Sequence, residues 1–224
     1  MVALYLDTAD VSEMQQVKCD GITTNPSWMK KSGISNYRDF AQSALEASKG
    51  KPISFEVLAD NIEEMHEQAI EIASWGNNVF VKVPVTNSHG DSTHLLVNAL
   101  SRSGIQVNVT AVLTIPQIRT FARELYPKTP SIISIFAGRI ADTGVDPVPF
   151  FTAGIHCKQQ STKLLWASTR EVYNIKQARD CGADIITLSY DLLRKYETLN
   201  GRSLEAYSLD TVKQFLKDAE GVEF

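Results

Sequence analysis

Apolar and polar positions follow two alternating rhythms along the chain. Short apolar runs rich in β-branched residues occupy 3–8, 21–25, 53–58, 79–84, 107–113, 131–138, 163–169 and 184–189, and they predict eight strands. Between them lie longer stretches with helical spacing: 11–18, 36–48, 61–75, 88–103, 116–125, 146–157, 172–181 and 192–199. Start signals mark several of these. Asp60 and Asn61 precede Glu63 and Glu64, and Thr114 precedes Pro116. Gly50, Gly76, Gly104 and Gly182 fall just after helical runs, where a left-handed cap is expected. Pro147 and Pro149 crowd the start of the sixth helix.

Strand-then-helix units repeated eight times predict parallel pairing through right-handed crossovers. An eight-fold βα barrel, a TIM barrel of the α/β class, accounts for them in one domain spanning 1–224. An open doubly wound sheet is the rival. It would carry a Gly-rich turn after its first strand, where this chain has Asp7-Thr8-Ala9-Asp10. A further helix at 209–219 puts Leu209, Val212, Phe215, Leu216 and Ala219 on one stripe. It lies beyond the eighth unit, so it is expected to close the barrel or to dock on a neighbouring subunit.

Successive side chains of a barrel strand alternate between lumen and helix layer. In the fourth strand Val79, Val81 and Val83 share one face, Phe80 and Lys82 the other. The same split opposes Leu4 and Leu6 to Asp7, and Phe55 and Val57 to Ser54 and Glu56. It opposes Val107 and Val109 to Asn108 and Thr110, and Ile133 and Ile135 to Ser134 and Phe136. In the seventh strand it opposes Leu165 and Ala167 to Trp166 and Ser168. With the apolar faces turned to the helices, Asp7, Asn25, Glu56, Lys82, Asn108, Thr110, Ser134 and Ser168 converge in one lumen. Polar groups there are costly unless they satisfy one another or a ligand, and most sit at the C-terminal rim where barrel enzymes work.

Lys82, inside Val-Phe-Val-Lys-Val-Pro-Val, is the best-placed lysine for nucleophilic chemistry. Apolar surroundings disfavour an ammonium, and a desolvated amine can form a Schiff base with a ketone, an electron sink for carbon–carbon cleavage. A salt bridge to Asp7 or Glu56, serving the fold alone, is the competing reading. Glu56 and Asp7 are the lumen carboxylates available for proton transfer. Asn25, Asn108, Thr110 and Ser134 can bind a polyhydroxylated chain. Arg139 follows the sixth strand, and Ser168 and Arg170 end the seventh, near the usual phosphate position of barrels. The alternative for both arginines is pairing with Asp142 and Glu171 on the surface.

Composition narrows the partners. The chain carries 22 Lys plus Arg against 26 Asp plus Glu, a net −4, without the cationic surface that nucleic acid needs. No apolar run reaches the ~20 residues of a membrane span, so no membrane role is expected. No signal peptide is expected at the N-terminus. Three widely spaced cysteines, Cys19, Cys157 and Cys181, suit a cytoplasmic protein rather than a disulfide framework. No metal or cofactor is expected: the four histidines form no ligand motif, and neither a dinucleotide fingerprint nor a Walker motif appears.

Three segments, Gly21-Ile22-Thr23-Thr24-Asn25-Pro26-Ser27, Val81-Lys82-Val83-Pro84 and Phe136-Ala137-Gly138-Arg139-Ile140, resemble the transaldolase family, and the likeness runs from Leu6-Asp7-Thr8-Ala9 to the last strand. The length is similar to that of the small transaldolase subgroup, which includes fructose-6-phosphate aldolases. The resemblance implies a class I enzyme on a βα barrel that transfers a dihydroxyacetone unit between sugar phosphates, without a cofactor. It implies Lys82 as the Schiff-base residue, Asp7 and Glu56 as the acids, and Thr110 as holder of a water. Arg139 and Ser168 take the phosphate-binding places. Glu56, Phe136 and Ser134 agree with transaldolases; the aldolases typically carry Gln and Tyr at the first two positions. It further implies a homo-oligomer, ring-shaped in many small members.

The chain departs from that pattern at Thr169, where Phe is usual, and over 142–160. Both lie beside the phosphate end, so an aldolase of the fructose-6-phosphate type, or a specialised aldolase on an unusual sugar, stays open. Two further alternatives are a metal-dependent lyase and a sugar-phosphate sensor that binds without chemistry.

Overall fold

The β-branched runs form strands and the amphipathic stretches pack over them. The computed structural model describes residues 1–223. In chain order the elements are β1 (Ala3–Asp7), α1 (Val11–Gln16), β2 (Gly21–Thr23), α2 (Pro26–Lys31), α3 (Tyr37–Ser48), β3 (Ile53–Glu56), α4 (Ile62–Ser74), β4 (Val79–Pro84), α5 (His94–Arg102) and β5 (Val107–Val112). Then come α6 (Ile115–Glu124), β6 (Ser131–Ile135), α7 (Ala137–Asp142), α8 (Val148–Cys157), β7 (Thr162–Trp166), α9 (Asn174–Asp180), β8 (Ile185–Leu188), α10 (Tyr190–Leu199) and α11 (Leu204–Asp218). All eight strands pair parallel in sequence order, and β8 closes on β1. The chain is a TIM barrel with an added C-terminal helix.

Predicted start signals act as caps. Asn61 accepts from the Glu63 and Glu64 amides, and Thr114 with Gln117 forms a reciprocal capping box ahead of α6. Each satisfies donors that a helix start leaves unpaired.

Two buried apolar groups separate lumen from outer layer. The larger holds Leu6, Phe55, Val81, Val83, Val107, Val109, Ile133 and Ile135 against the helices. The smaller fills the lumen with Tyr5, Phe80, Ile132, Leu165, Ala167 and Ile185. The expected alternation therefore holds in β1, β3, β4, β5 and β6, but in β7 it is inverted. Leu165 and Ala167 face the lumen, while Trp166 faces outward and stacks on Phe151 of α8 at 5.0 Å between ring centroids. Both faces of that strand are apolar, so hydrophobicity could not set its direction. The large indole went where a helix could cover it.

Several bounds also differ. The residues 24–25 and 136–138, expected to extend strands, instead turn into α2 and α7. Residues 88–92 form a turn with a Thr86–Ser92 bridge before α5. The last helix begins five residues earlier than its apolar stripe suggested. It buries none of its side chains, and Leu204, Val212, Phe215 and Leu216 are exposed. No helix among the described residues is long and apolar enough to cross a membrane.

Candidate active site

At the C-terminal mouth of the barrel lies a cavity of about 490 Å³. Its wall includes Asp7, Asn25, Glu56, Lys82, Thr110, Ser134, Phe136, Arg139, Ser168 and Arg170. Ten of the eleven candidate residues thus line one space. Asn108 does not. It is fully buried, donating to Ser54 Oγ at 3.0 Å and accepting from Ser134 Oγ at 2.7 Å. Its amide links β3, β5 and β6 and fixes the Ser134 rotamer, a supporting place where direct substrate contact was expected.

Lys82 projects from the middle of the wall and is 5% exposed. Its Nζ lies 2.9 Å from Glu56 Oε2 and donates to the Thr24 carbonyl oxygen at 2.8 Å. The expected apolar sleeve is thus incomplete: Phe80 shares the lumen face with Lys82 while the flanking valines face the helices, and the amine meets oxygen acceptors. The pairing arises from register, because Glu56 on β3 stands opposite Lys82 on β4. Behind Glu56, Tyr37 donates its hydroxyl to the Glu56 carbonyl oxygen at 2.9 Å. Burial among Phe40, Phe55 and Trp75 pushes that phenol above its ordinary range.

Asp7 ends β1 across the mouth. Its Oδ1 accepts from Thr23 Oγ1 at 2.7 Å, its Oδ2 from Trp28 Nε1 at 2.7 Å, and Asn25 Nδ2 reaches both oxygens at 3.4 Å. Asn25 also caps α2, accepting from the Trp28 amide at 3.0 Å. The Thr110 hydroxyl is buried without a hydrogen-bond partner among the described residues, and Thr110 borders the cavity. Ala111, next in the chain, adopts φ 60 at the irregularity between β5 and β6. Such left-handed backbone in a residue with a side chain is strained and turns up at functional sites.

The rim opposite carries the cations. Arg139 projects from α7, its guanidinium carbon 5.3 Å from the centre of the Phe136 ring. Arg170 pairs with Asp142, Nη2 to Oδ2 at 2.5 Å, as one of the two surface pairings anticipated. Ser168 reaches the cavity although the faces of β7 are reversed from expectation. The strand ends at Trp166, and Ser168 takes φ 62, which turns its side chain inward after alternation has stopped.

Sequence reasoning missed Thr23, Thr187 and Trp28 in this wall. Thr23 shares a face with Asn25 two residues on, so alternation alone could have found it. The Asn25-Pro26 pair is itself a helix-start signal that places Trp28 in a first turn. Thr187 had only its parity on β8.

The family described as Transaldolase/Fructose-6-phosphate aldolase matches residues 4–224. A probable transaldolase from Maridesulfovibrio salexigens is 31% identical over 218 residues, 93% of this chain and 97% of that one. A probable transaldolase from Methanococcus maripaludis is 34% identical over 205 residues, covering 85% and 87%. Among solved structures, N-acetylneuraminate lyase from Mycoplasma synoviae superposes with a TM-score of 0.59 at 12% identity, over 96% of this chain and 78% of that one. At that identity the likeness concerns the barrel alone.

Proposed function

The chain belongs to the transaldolase/fructose-6-phosphate aldolase family, and from that premise we propose that it is a class I transaldolase working through a Schiff base on Lys82. The donor is fructose 6-phosphate or sedoheptulose 7-phosphate; the acceptor is glyceraldehyde 3-phosphate or erythrose 4-phosphate. The observation that carries the reading is a nearly buried amine in a polar cavity with a carboxylate 2.9 Å away.

Glu56 takes the ammonium proton, and the free amine adds to the ketose carbonyl carbon. Protonation of the resulting hydroxyl expels water and leaves an iminium. Thr110, with its spare buried hydroxyl, is placed to hold that water. Asp7 then takes the proton of the β-hydroxyl, and the bond between the α and β carbons breaks. The aldehyde departs, and the electron pair remains as an enamine conjugated to nitrogen. Attack of the enamine carbon on the acceptor aldehyde forms the new bond, Asp7 returns the proton, and water hydrolyses the iminium. Asn25, Ser134 and Phe136 contact the polyol. Arg139, Arg170 and Ser168 take the phosphate, though Asp142 offsets part of that positive charge. We infer also that α11, with its uncovered apolar stripe, docks on another copy of the chain in a homo-oligomer.

The test is turnover of fructose 6-phosphate with and without erythrose 4-phosphate, with borohydride added to trap the intermediate. Consumption only with the acceptor, and one reduced three-carbon unit at Lys82, is expected. Release of free dihydroxyacetone would instead make it an aldolase. Label on another lysine, or turnover by Lys82→Met, overturns the assignment; binding without a trappable adduct would indicate a sensor.

A further inference from the structure

The cavity wall holds an indole that the proposed mechanism leaves without a task. Trp28 lies in the first turn of α2, its ring lines the cavity, and its Nε1 donates to Asp7 Oδ2 at 2.7 Å. A carboxylate at a strand end can rotate about both side-chain bonds unless each oxygen is held. The Thr23 hydroxyl holds Oδ1 at 2.7 Å, and Asn25 approaches both oxygens only at 3.4 Å, so among the described residues the indole supplies the one short contact to Oδ2.

The chemistry of that donor matters. An indole N–H can donate and can never accept, so it fixes the carboxylate without competing for the proton that Asp7 has to move. It also leaves Oδ2 a lone pair for a substrate hydroxyl. One further contact fixes the backbone at Trp28 and another lies against the ring. Asn25 Oδ1 accepts from the Trp28 amide at 3.0 Å, and the Lys31 ammonium lies 4.4 Å from the ring centre.

Resting on the transaldolase reading, we propose that Trp28 is a positioning residue, holding Asp7 in the orientation that takes and returns the β-hydroxyl proton during cleavage and re-addition. It acts on the steps in which the carbon–carbon bond breaks and forms. Capture of a ketone by Lys82 does not depend on it, because Lys82 takes its contacts from Glu56 and Thr24.

The experiment uses the full chain with Trp28→Phe, which keeps a ring and deletes the donor. The expected result is kcat lower by about 10- to 100-fold with KM within about twofold, as for a misoriented catalytic group. Borohydride trapping of free dihydroxyacetone on Lys82 should stay at the parental level. In an Asp7→Asn background the same change should cost nothing more, because the residue it acts through is gone. A benzothiophene analogue of tryptophan placed at 28 keeps the outline without the N–H, and serves if the Phe variant is unstable; it should show the same loss. Parental kcat in the folded variants overturns the proposal, as does an equal loss in the Asp7→Asn background. Absence of any Lys82 adduct in the parent enzyme overturns the Schiff-base reading itself, and this inference falls with it.

Discussion

Gly138 permits the closest backbone approach at the cavity rim, and filling it tests the phosphate end. A Cβ added there would lie 1.6 Å from the Ser168 carbonyl oxygen, 2.7 Å from its carbon and 3.1 Å from Arg170 Nε. Real Cβ atoms essentially never come under 3.0 Å, so Gly138→Ala forces the Ser168 carbonyl to retreat by about 1.4 Å. Neither side can yield easily. Gly138 is in the first turn of α7 with its amide directed at the Ala167 carbonyl oxygen, and Ser168 is already in left-handed backbone. The overpacking should cost about 1–3 kcal/mol of stability, partly offset by the better helix propensity of alanine. The functional effect should be local. Arg139 follows directly in α7 and Arg170 lies two residues past Ser168, so the proposed phosphate ligands move apart while Lys82, Glu56 and Asp7 stay in place. The expected outcome is a KM for fructose 6-phosphate raised about 10- to 100-fold, with borohydride trapping of unphosphorylated dihydroxyacetone at Lys82 unchanged. Steady-state kinetics beside adduct mass spectrometry reads both. A KM within twofold of the parent in a folded variant would refute the placing of phosphate between α7 and the end of β7.

Two further outcomes can be measured directly. Burial, with Asp20 and Cys19 nearby, raises the Tyr5 phenol from 10.0 to about 12, so the folded state keeps a proton that the unfolded chain releases. Its contribution is intact below pH 10 and is lost as pH climbs toward 12, about 2–3 kcal/mol in all; Tyr5→Phe should flatten that part of the alkaline urea-unfolding curve, and an unchanged slope would count against the lumen burial of this ring. Ending the chain before α11 removes no buried side chain among the described residues, so the barrel should melt within a few degrees of the full chain while sedimentation shows smaller particles; an unaltered assembly would exclude α11 from the subunit contact.

The sequence by itself determined the class of fold and most of the residues that line the candidate site. Eight β-branched runs separated by amphipathic stretches call for a parallel sheet covered by helices, and the lack of a Gly-rich turn after the first strand favoured the barrel over an open sheet. Lys82 was legible because a charge inside Val79–Pro84 has to point away from the helices. Tertiary structure decided what alternation could not reach. Leu165 and Trp166 are both apolar, so packing of the indole on Phe151 settled which faced the lumen. Ser168 entered the cavity through a left-handed turn beyond its strand, a conformation with no glycine to signal it. Asn108 lies on the expected face yet spends its amide on Ser54 and Ser134, because hydrogen-bond partners on other strands, 54 and 26 residues away, compete with any ligand. Periodicity reports which way a side chain points; which neighbour it meets there depends on the closure and register of the whole barrel.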